Sequence, residues 1–365
     1  LSEIDMAALV ALLIQPSERR LMFLFEIMLS MPLIEVQEGL VRPRRAEAKR
    51  WLEARRAEQL RELSSAWARS TVFRELWHVP GLYPDPTGWP YDPVVAREAL
   101  LGFLRELTPQ GEWWSIDDFI SVVKVVEPDF QRPGGDYDSW YIRNEAGEYL
   151  NGFESWEAVE GALLEFYLMG PMHWLGLVDL AEDAARLNAY GRAFVNRTPW
   201  PTPQEMEARI EVQPDGTLTA SRHVSRMDRF QAMRFTTWGA PARDGEPYTY
   251  RISMEGVKQA AEQGINVGHI DAFLTRMMGV DTLPPALNRL LETWQQGPQT
   301  SVTLEAVTIL RTTAPETLDF IMETPALRRF CGARLGPMAV IVRADQREAL
   351  QAALEERGIQ MERRV

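Results

Sequence analysis

Cysteine occurs once in 365 residues, at position 331. That count rules out a disulfide framework within the chain and any thiolate zinc cluster, and it fits a reducing compartment, so a cytoplasmic location is expected. Cys331 lies in "RRFCGARLG" and reads as a small core residue rather than a nucleophile. Histidine is nearly as scarce. The four residues, His78, His173, His223 and His269, are spread so widely that no HExxH or HxH ligand pair exists. No apolar run reaches the ~20 residues needed to cross a bilayer. The longest, "LMFLFEIMLSMPLI" from Leu21, is interrupted by Glu26 and Pro32, so no membrane partner is expected. Positive charge is also short, with 39 Lys and Arg against 52 Asp and Glu and a net charge of −13. A chain of that sign repels nucleic acid over most of its surface and can hold it only through a local patch.

Catalytic signatures are missing too. There is no GxSxG elbow and no GxxxxGK[ST] loop to cradle phosphates. The paired carboxylates Asp117 and Asp118 fall in the first turn of a helical pattern, where acids favour the helix dipole. No enzyme activity, metal or cofactor is expected.

What the chain does have is 45 % apolar residues, enough for several cores. Residues 1–45 read as helix, turn, helix and a short hairpin about Glu38-Gly39, with Ser17 as a helix cap. That order matches a winged helix. The chain opens at Leu1 within a helical pattern, so a preceding segment is expected. A long charged helix follows from Ala46 to Trp77, with the rest of 46–91 as connector, ending in the proline-rich "PGLYPDPTGWPYDP". Residues 92–196 read as three helices, the first beginning after Asp92, the second capped by Ser115 and the third starting near Ser155 or Glu154, then a hairpin in which "WLGLVDLA" and "ARLNAYGRAFV" are strands joined at "EDA". This is a second winged helix. The proline-rich "NRTPWPTPQ" is a linker. Residues 205–365 open with a hairpin at Asp215-Gly216. They continue through "SRMDRFQAMRFTTW", "MEGVKQAAEQG", "VGHIDAFLTRMM" and "PALNRLLETWQQ" as helices. They close with the strand "SVTLEAVTILRT", the helix "PETLDFIMETPALRRF", the buried strand "MAVIVRAD" and a helix ended by Gly358. The fold class is mainly α with α+β: tandem winged-helix modules followed by a C-terminal α/β domain.

Two stretches of that last domain carry a family resemblance. "YTYRISMEGVKQAAEQGINVGHIDAFLTRMMGVDTLPPALNRLLETWQ" and "ILRTTAPETLDFIMETPALRRFCGARLGPMAVIVRAD" resemble the helicase-associated domain family, which is related to the amino-terminal region of XPB-type helicases. The shared features are a strand, an alanine-rich helix ending at a glycine, a short helix with "FL", then "LP" and a helix with a tryptophan. These are packing motifs. The resemblance implies work in DNA transactions such as repair or transcription, beside a helicase or other DNA-processing protein. The missing phosphate-binding loop departs from the helicases themselves.

Charge placement refines that expectation. Between Arg42 and Arg61 lie eight basic residues (Arg42, Arg44, Arg45, Lys49, Arg50, Arg55, Arg56 and Arg61) against three acids, a net of +5. They form a candidate strip for the DNA backbone. Arg222, Arg226 and Arg229, with His223 and Arg234 and opposed by Asp228, form a second. The third helix of the second module carries Glu154, Glu157, Glu160 and Glu165, and no Lys or Arg occurs from Asn144 to Ala185. A reading helix in a major groove needs Arg, Lys, Asn or Gln. These four glutamates are therefore candidate protein-binding residues. The expected function is a non-catalytic adaptor that binds a protein partner and touches DNA weakly through the strip. The alternative is a winged-helix transcription regulator reading an operator, for which the helix "ERRLMFLFEIMLS" offers only Arg19 and Arg20.

Overall fold

A computed structural model describes residues 2–86, 91–132, 134–239, 243, 245–296, 307–343 and 346–362. The fold is mixed α and β with small sheets. It divides into two compact units, residues 1–297 and 298–365.

In the first unit, α1 (Glu3–Val10) and α2 (Glu18–Ser30) start at Ser2 and Ser17, whose side chains accept the backbone N–H groups of Asp5 and Arg20. The strands β1 (Ile34–Gln37) and β2 (Leu40–Pro43) pair antiparallel around Glu38 and Gly39. Both turn residues have positive φ, 53° and 77°, as a tight two-residue hairpin turn requires.

The expected long helix from Ala46 is broken into α3 (Arg45–Glu53) and α4 (Arg56–Arg69). The break at Ala54-Arg55 holds because Glu58 turns back to accept the Arg55 backbone N–H at 3.3 Å, starting a new helix there. A single 3-10 turn, Glu75–Trp77, follows. The proline-rich segment forms β3 (Tyr83–Pro84), and its residues 87–90 lie outside the described ones.

Next come α5 (Pro93–Glu106), capped by Asp92, then β4 (Trp114–Ser115) and α6 (Ile116–Val126), capped by Ser115. In the loop beyond α6, β5 (Ile142–Arg143) pairs with β3. The third helical stretch runs from Trp156 past Met172, longer than expected. Its middle is α7 (Ala162–Tyr167), flanked by π-helical segments Glu157–Gly161 and Leu168–Met172, and it kinks at Gly170 before Pro171. The proline has no N–H for the helix ladder, and the wider turn accommodates it.

The hairpin of β6 (Val178–Leu180) and β7 (Ala184–Leu187) is present, and β4 adds to it in the order β4-β7-β6. The expected second strand "ARLNAYGRAFV" stops at Leu187 and becomes α8 (Ala189–Val195). Asn188 caps that helix by accepting from the N–H groups of Tyr190 and Gly191. The apolar run masked a strong helix start.

One cluster of buried side chains runs from Phe23 to Val195. The expected boundaries at 45/46 and 91/92 therefore do not separate cores. Trp67 and Trp156 are fully buried, and Trp51 and Trp174 pack on the same cluster.

The rest of this unit is an antiparallel sheet with helices. Its strands are β8 (Glu211–Val212), β9 (Thr217–Ala220), β10 (Thr236–Trp238) and β11 (Tyr248–Ile252), in the order β10-β11-β9-β8. Its helices are α9 (Arg226–Met233), α10 (Met254–Glu262), α11 (Val267–Met278) and α12 (Pro285–Gln296). "TTW", expected to finish a helix, is β10. Thr236 is buried and pairs with Ile252, so cross-strand pairing outweighs helix continuation. A second core, from Ile210 to Leu291, fills this region.

The second unit holds β12 (Thr308–Arg311), α13 (Pro315–Glu323), α14 (Pro325–Arg328), β13 (Cys331–Gly336), β14 (Ala339–Val342) and α15 (Arg347–Glu355). The strands form an antiparallel sheet in the order β12-β14-β13. The front of the expected strand "SVTLEAVTILRT", residues 301–306, lies outside the described ones. The expected helix "PETLDFIMETPALRRF" is split at Thr324, whose extended backbone precedes Pro325. β13 had no sequence signal, since its side chains are largely exposed. Ile321, Leu327, Phe330, Val342, Leu350 and Leu354 make a separate small core. The span 205–365, expected as one domain, thus contains two.

Candidate nucleic-acid interface

The strip read from the sequence does not form one face. Arg42, Arg44 and Arg45 are exposed at β2 and the start of α3, and Arg44 pairs with Glu35 at 3.2 Å. Lys49 pairs with Glu53 one turn along, at 3.8 Å. Arg50 and Arg61 line a pocket of about 420 Å³, joined there by Arg69 and by Glu47 and Glu62. Arg55 is exposed at the helix break.

Arg56 turns to a different neighbourhood. Its backbone N–H donates to Glu205 Oε1 at 2.6 Å. Burial, followed by the nearby charges of Arg229 and Arg222, holds its guanidinium below the ordinary arginine value, while Glu205 acts in the opposite sense. Thus two basic stretches separated by more than 150 residues of sequence meet.

The second stretch is built by α9. Ser225 starts this helix by accepting the Asp228 N–H, and Arg226 and Arg229 fall on one face at i, i+3. Arg229 lies with its guanidinium carbon 3.5 Å from the centre of the Tyr248 ring. Its Nε donates to the Tyr250 hydroxyl at 3.1 Å. Tyr248 and Tyr250 alternate along β11 and share one face of the sheet. Arg226 is half-buried, and its pKa is pushed down to about 10 by burial and by the charges of Arg56 and Arg229. Asp228 does not relieve this repulsion. It is engaged by Arg276 at 2.8 Å on the other side of α9.

No family model matches this chain. No curated protein matches it as a relative either.

The acidic residues of the third helix have unlike fates. Glu160 is fully buried and is not available to a protein partner. It accepts from Arg132 Nε at 2.5 Å and Gln131 Nε2 at 3.0 Å, because a carboxylate on the inner face of a helix must be paired to remain there. Glu157 is exposed but carries an ion pair with Lys124 of α6, which holds its carboxyl below the usual range. Glu154 and Glu165 are exposed. The basic partners, Lys124 and Arg132, lie before Asn144, outside the stretch that reads as purely acidic.

The same helix is covered on most sides. Trp156, Val159, Leu163, Leu164, Tyr167 and Leu168 are fully buried. Trp67 of α4 packs on Tyr167, and Phe23 of α2 packs on Trp174. Only a narrow stripe through Glu157, Ala158, Glu165, Met169 and His173 reaches solvent.

The residues that complete the arginine site, Glu205, Tyr248 and Tyr250, were not singled out from the sequence. The only signal was the period-two spacing of the tyrosines in "YTYRI". Among the described residues no group of three or more His, Cys, Asp or Glu could hold a metal ion, and no helix is long and apolar enough to cross a membrane.

Proposed function

We propose that this chain is a non-catalytic accessory protein in DNA transactions, contacting the DNA backbone through arginine side chains and serving a helicase or other DNA-processing partner. The observation that carries this reading is the meeting of Arg56 with Arg222, Arg226 and Arg229, where guanidinium groups accumulate on a chain of net charge −13. On such a chain a local concentration of positive charge favours a polyanion.

The element order from α5 to β7 supports a winged-helix module: helix, short strand, helix, helix and hairpin, with the short strand added to the second strand of the hairpin. We assign that module a packing role. Its third helix is buried on most sides and its exposed stripe bears Glu157 and Glu165, so it has no open basic face to place in a groove. This counts against the operator-reading alternative. The resemblance to helicase-associated domains supports the partner class.

The test is binding of duplex DNA by the full chain over a range of salt. Binding is expected to weaken steeply with salt, and reversal of Arg56, Arg222, Arg226 and Arg229 to Glu should weaken it at least about tenfold at low salt. Equal affinity in the reversed variant removes the arginine surface from the function. Purification from the native host should recover a helicase or nuclease with the chain, and a partner from neither class would replace this assignment.

A further inference from the structure

We infer that Arg56, Arg222, Arg226 and Arg229 form a binding site for a phosphomonoester, the terminal phosphate of a nucleic acid strand. The inference rests on the DNA reading for the source of the phosphate but not for the site itself.

The site is assembled from two stretches far apart in the sequence. Arg56 begins α4, Arg222 precedes α9, and Arg226 and Arg229 project from the first turns of α9. Glu205 ties the segments together by accepting the Arg56 backbone N–H. The chain just after it lies beside the Arg222 segment through a parallel bridge between Ala208 and Val224. None of the four guanidinium groups forms an ion pair with a carboxylate among the described residues. Asp228 is engaged by Arg276, and Glu205, which accepts the Arg56 backbone N–H, opposes Arg56 and Arg226 with a single negative charge, so positive charge remains in excess among the four.

Positive charge held together in this way suits a small multivalent anion. An extended strip of arginines suits a row of singly charged phosphodiesters. A compact group suits the terminal phosphate, which carries nearly two negative charges at neutral pH and offers three acceptor oxygens. Guanidinium groups bind such oxygens through paired N–H donors. Arg229 is already oriented: the Tyr248 ring covers one face, the Tyr250 hydroxyl fixes Nε, and both Nη groups have no other hydrogen-bond partner among the described residues. A pre-positioned donor loses less conformational freedom on binding. Half-burial of Arg226 strengthens the attraction because water screens it less.

The experiment uses the full chain and fluorescence anisotropy with a short single-stranded oligonucleotide, prepared with a 5′-phosphate, with a 3′-phosphate and with hydroxyl ends. Inorganic phosphate and a nucleoside monophosphate serve as competitors. A phosphorylated end should bind at least about tenfold more tightly than a hydroxyl end, since it adds charge-assisted hydrogen bonds. Arg226→Gln and, independently, Arg56→Gln should abolish that preference, with folding verified by tryptophan fluorescence. Phosphate or the monophosphate bound without the oligonucleotide, and lost in Arg226→Gln, would sustain the site and remove the DNA reading. Equal affinity for phosphorylated and hydroxyl ends with no competition by phosphate would overturn the inference. So would an unchanged preference in both folded variants.

Discussion

The Glu75 carboxylate accepts from Trp67 Nε1 at 2.7 Å and from Nε and Nη2 of Arg97 at 2.7 and 2.8 Å. Arg97 also donates to the carbonyls of Trp67, Ser70 and Phe73, so the pair is fully buried yet completely hydrogen-bonded. It joins α5 to the segment that follows α4. Glu75→Gln leaves Arg97 without its counter-charge and is expected to destabilise the first unit by about 3–5 kcal/mol, read as a lower urea midpoint. Replacing both residues with apolar ones should cost less than the sum of the single changes. Glu26 behaves differently. Burial, and then the charge of Glu75, raises its pKa to about 7, and its Oε2 is buried without a hydrogen-bond partner. The folded state therefore binds a proton more tightly than the unfolded chain. Stability from this residue is present below the unfolded value of about 4.5 and is lost as pH rises through about 7. Glu26→Gln should flatten that dependence and raise stability at pH 8 by about 1–2 kcal/mol, once screening at a half-buried position is allowed for. Thermal unfolding at pH 5 and pH 8 measures it. A variant with the same slope as the parent would refute the assignment.

At the scale of elements, α8 shows how a few atoms outweigh an apolar pattern. "ARLNAYGRAFV" reads as a strand, but the Asn188 side chain takes two backbone N–H groups and also donates to Gly176 O and Asp179 Oδ1. Asn188→Ala should lower stability by about 1–2 kcal/mol, from the lost cap and the freed acceptors. Gly191 serves the same helix by size alone. A Cβ there would stand 2.0 Å from the Leu177 carbonyl oxygen, so Gly191→Ala must displace the hairpin or the helix. Its expected cost exceeds that of Asn188→Ala, at about 3 kcal/mol. Chemical denaturation of the two variants tests the order, and an equal or smaller loss for Gly191→Ala would show that the backbone yields easily. The caps at Ser17 and Ser115 were legible because each polar side chain precedes an apolar periodic run. The division at Thr324 had a proline to mark it. The break at Ala54-Arg55 had neither proline nor glycine, and it depends on Glu58 reaching back to a backbone N–H.

Over the whole molecule, the separate core of residues 298–365 leads to a direct expectation. All twelve tryptophans lie within residues 1–297. A fragment ending at Gly297 should keep the emission maximum and the fluorescence-detected unfolding midpoint of the full chain. A shifted maximum or a lost transition would mean that the two cores are not independent. The order of helices and most of the hairpins were determined by the sequence alone, because caps, turn residues and side-chain periodicity act over a few neighbouring positions. Tertiary structure alone decided that Glu160 is buried against Arg132, that Phe23 to Val195 share one core, and that Arg56 meets α9. Those outcomes depend on which surfaces exclude water together, and residues far apart in the chain acquire that relation only when it folds.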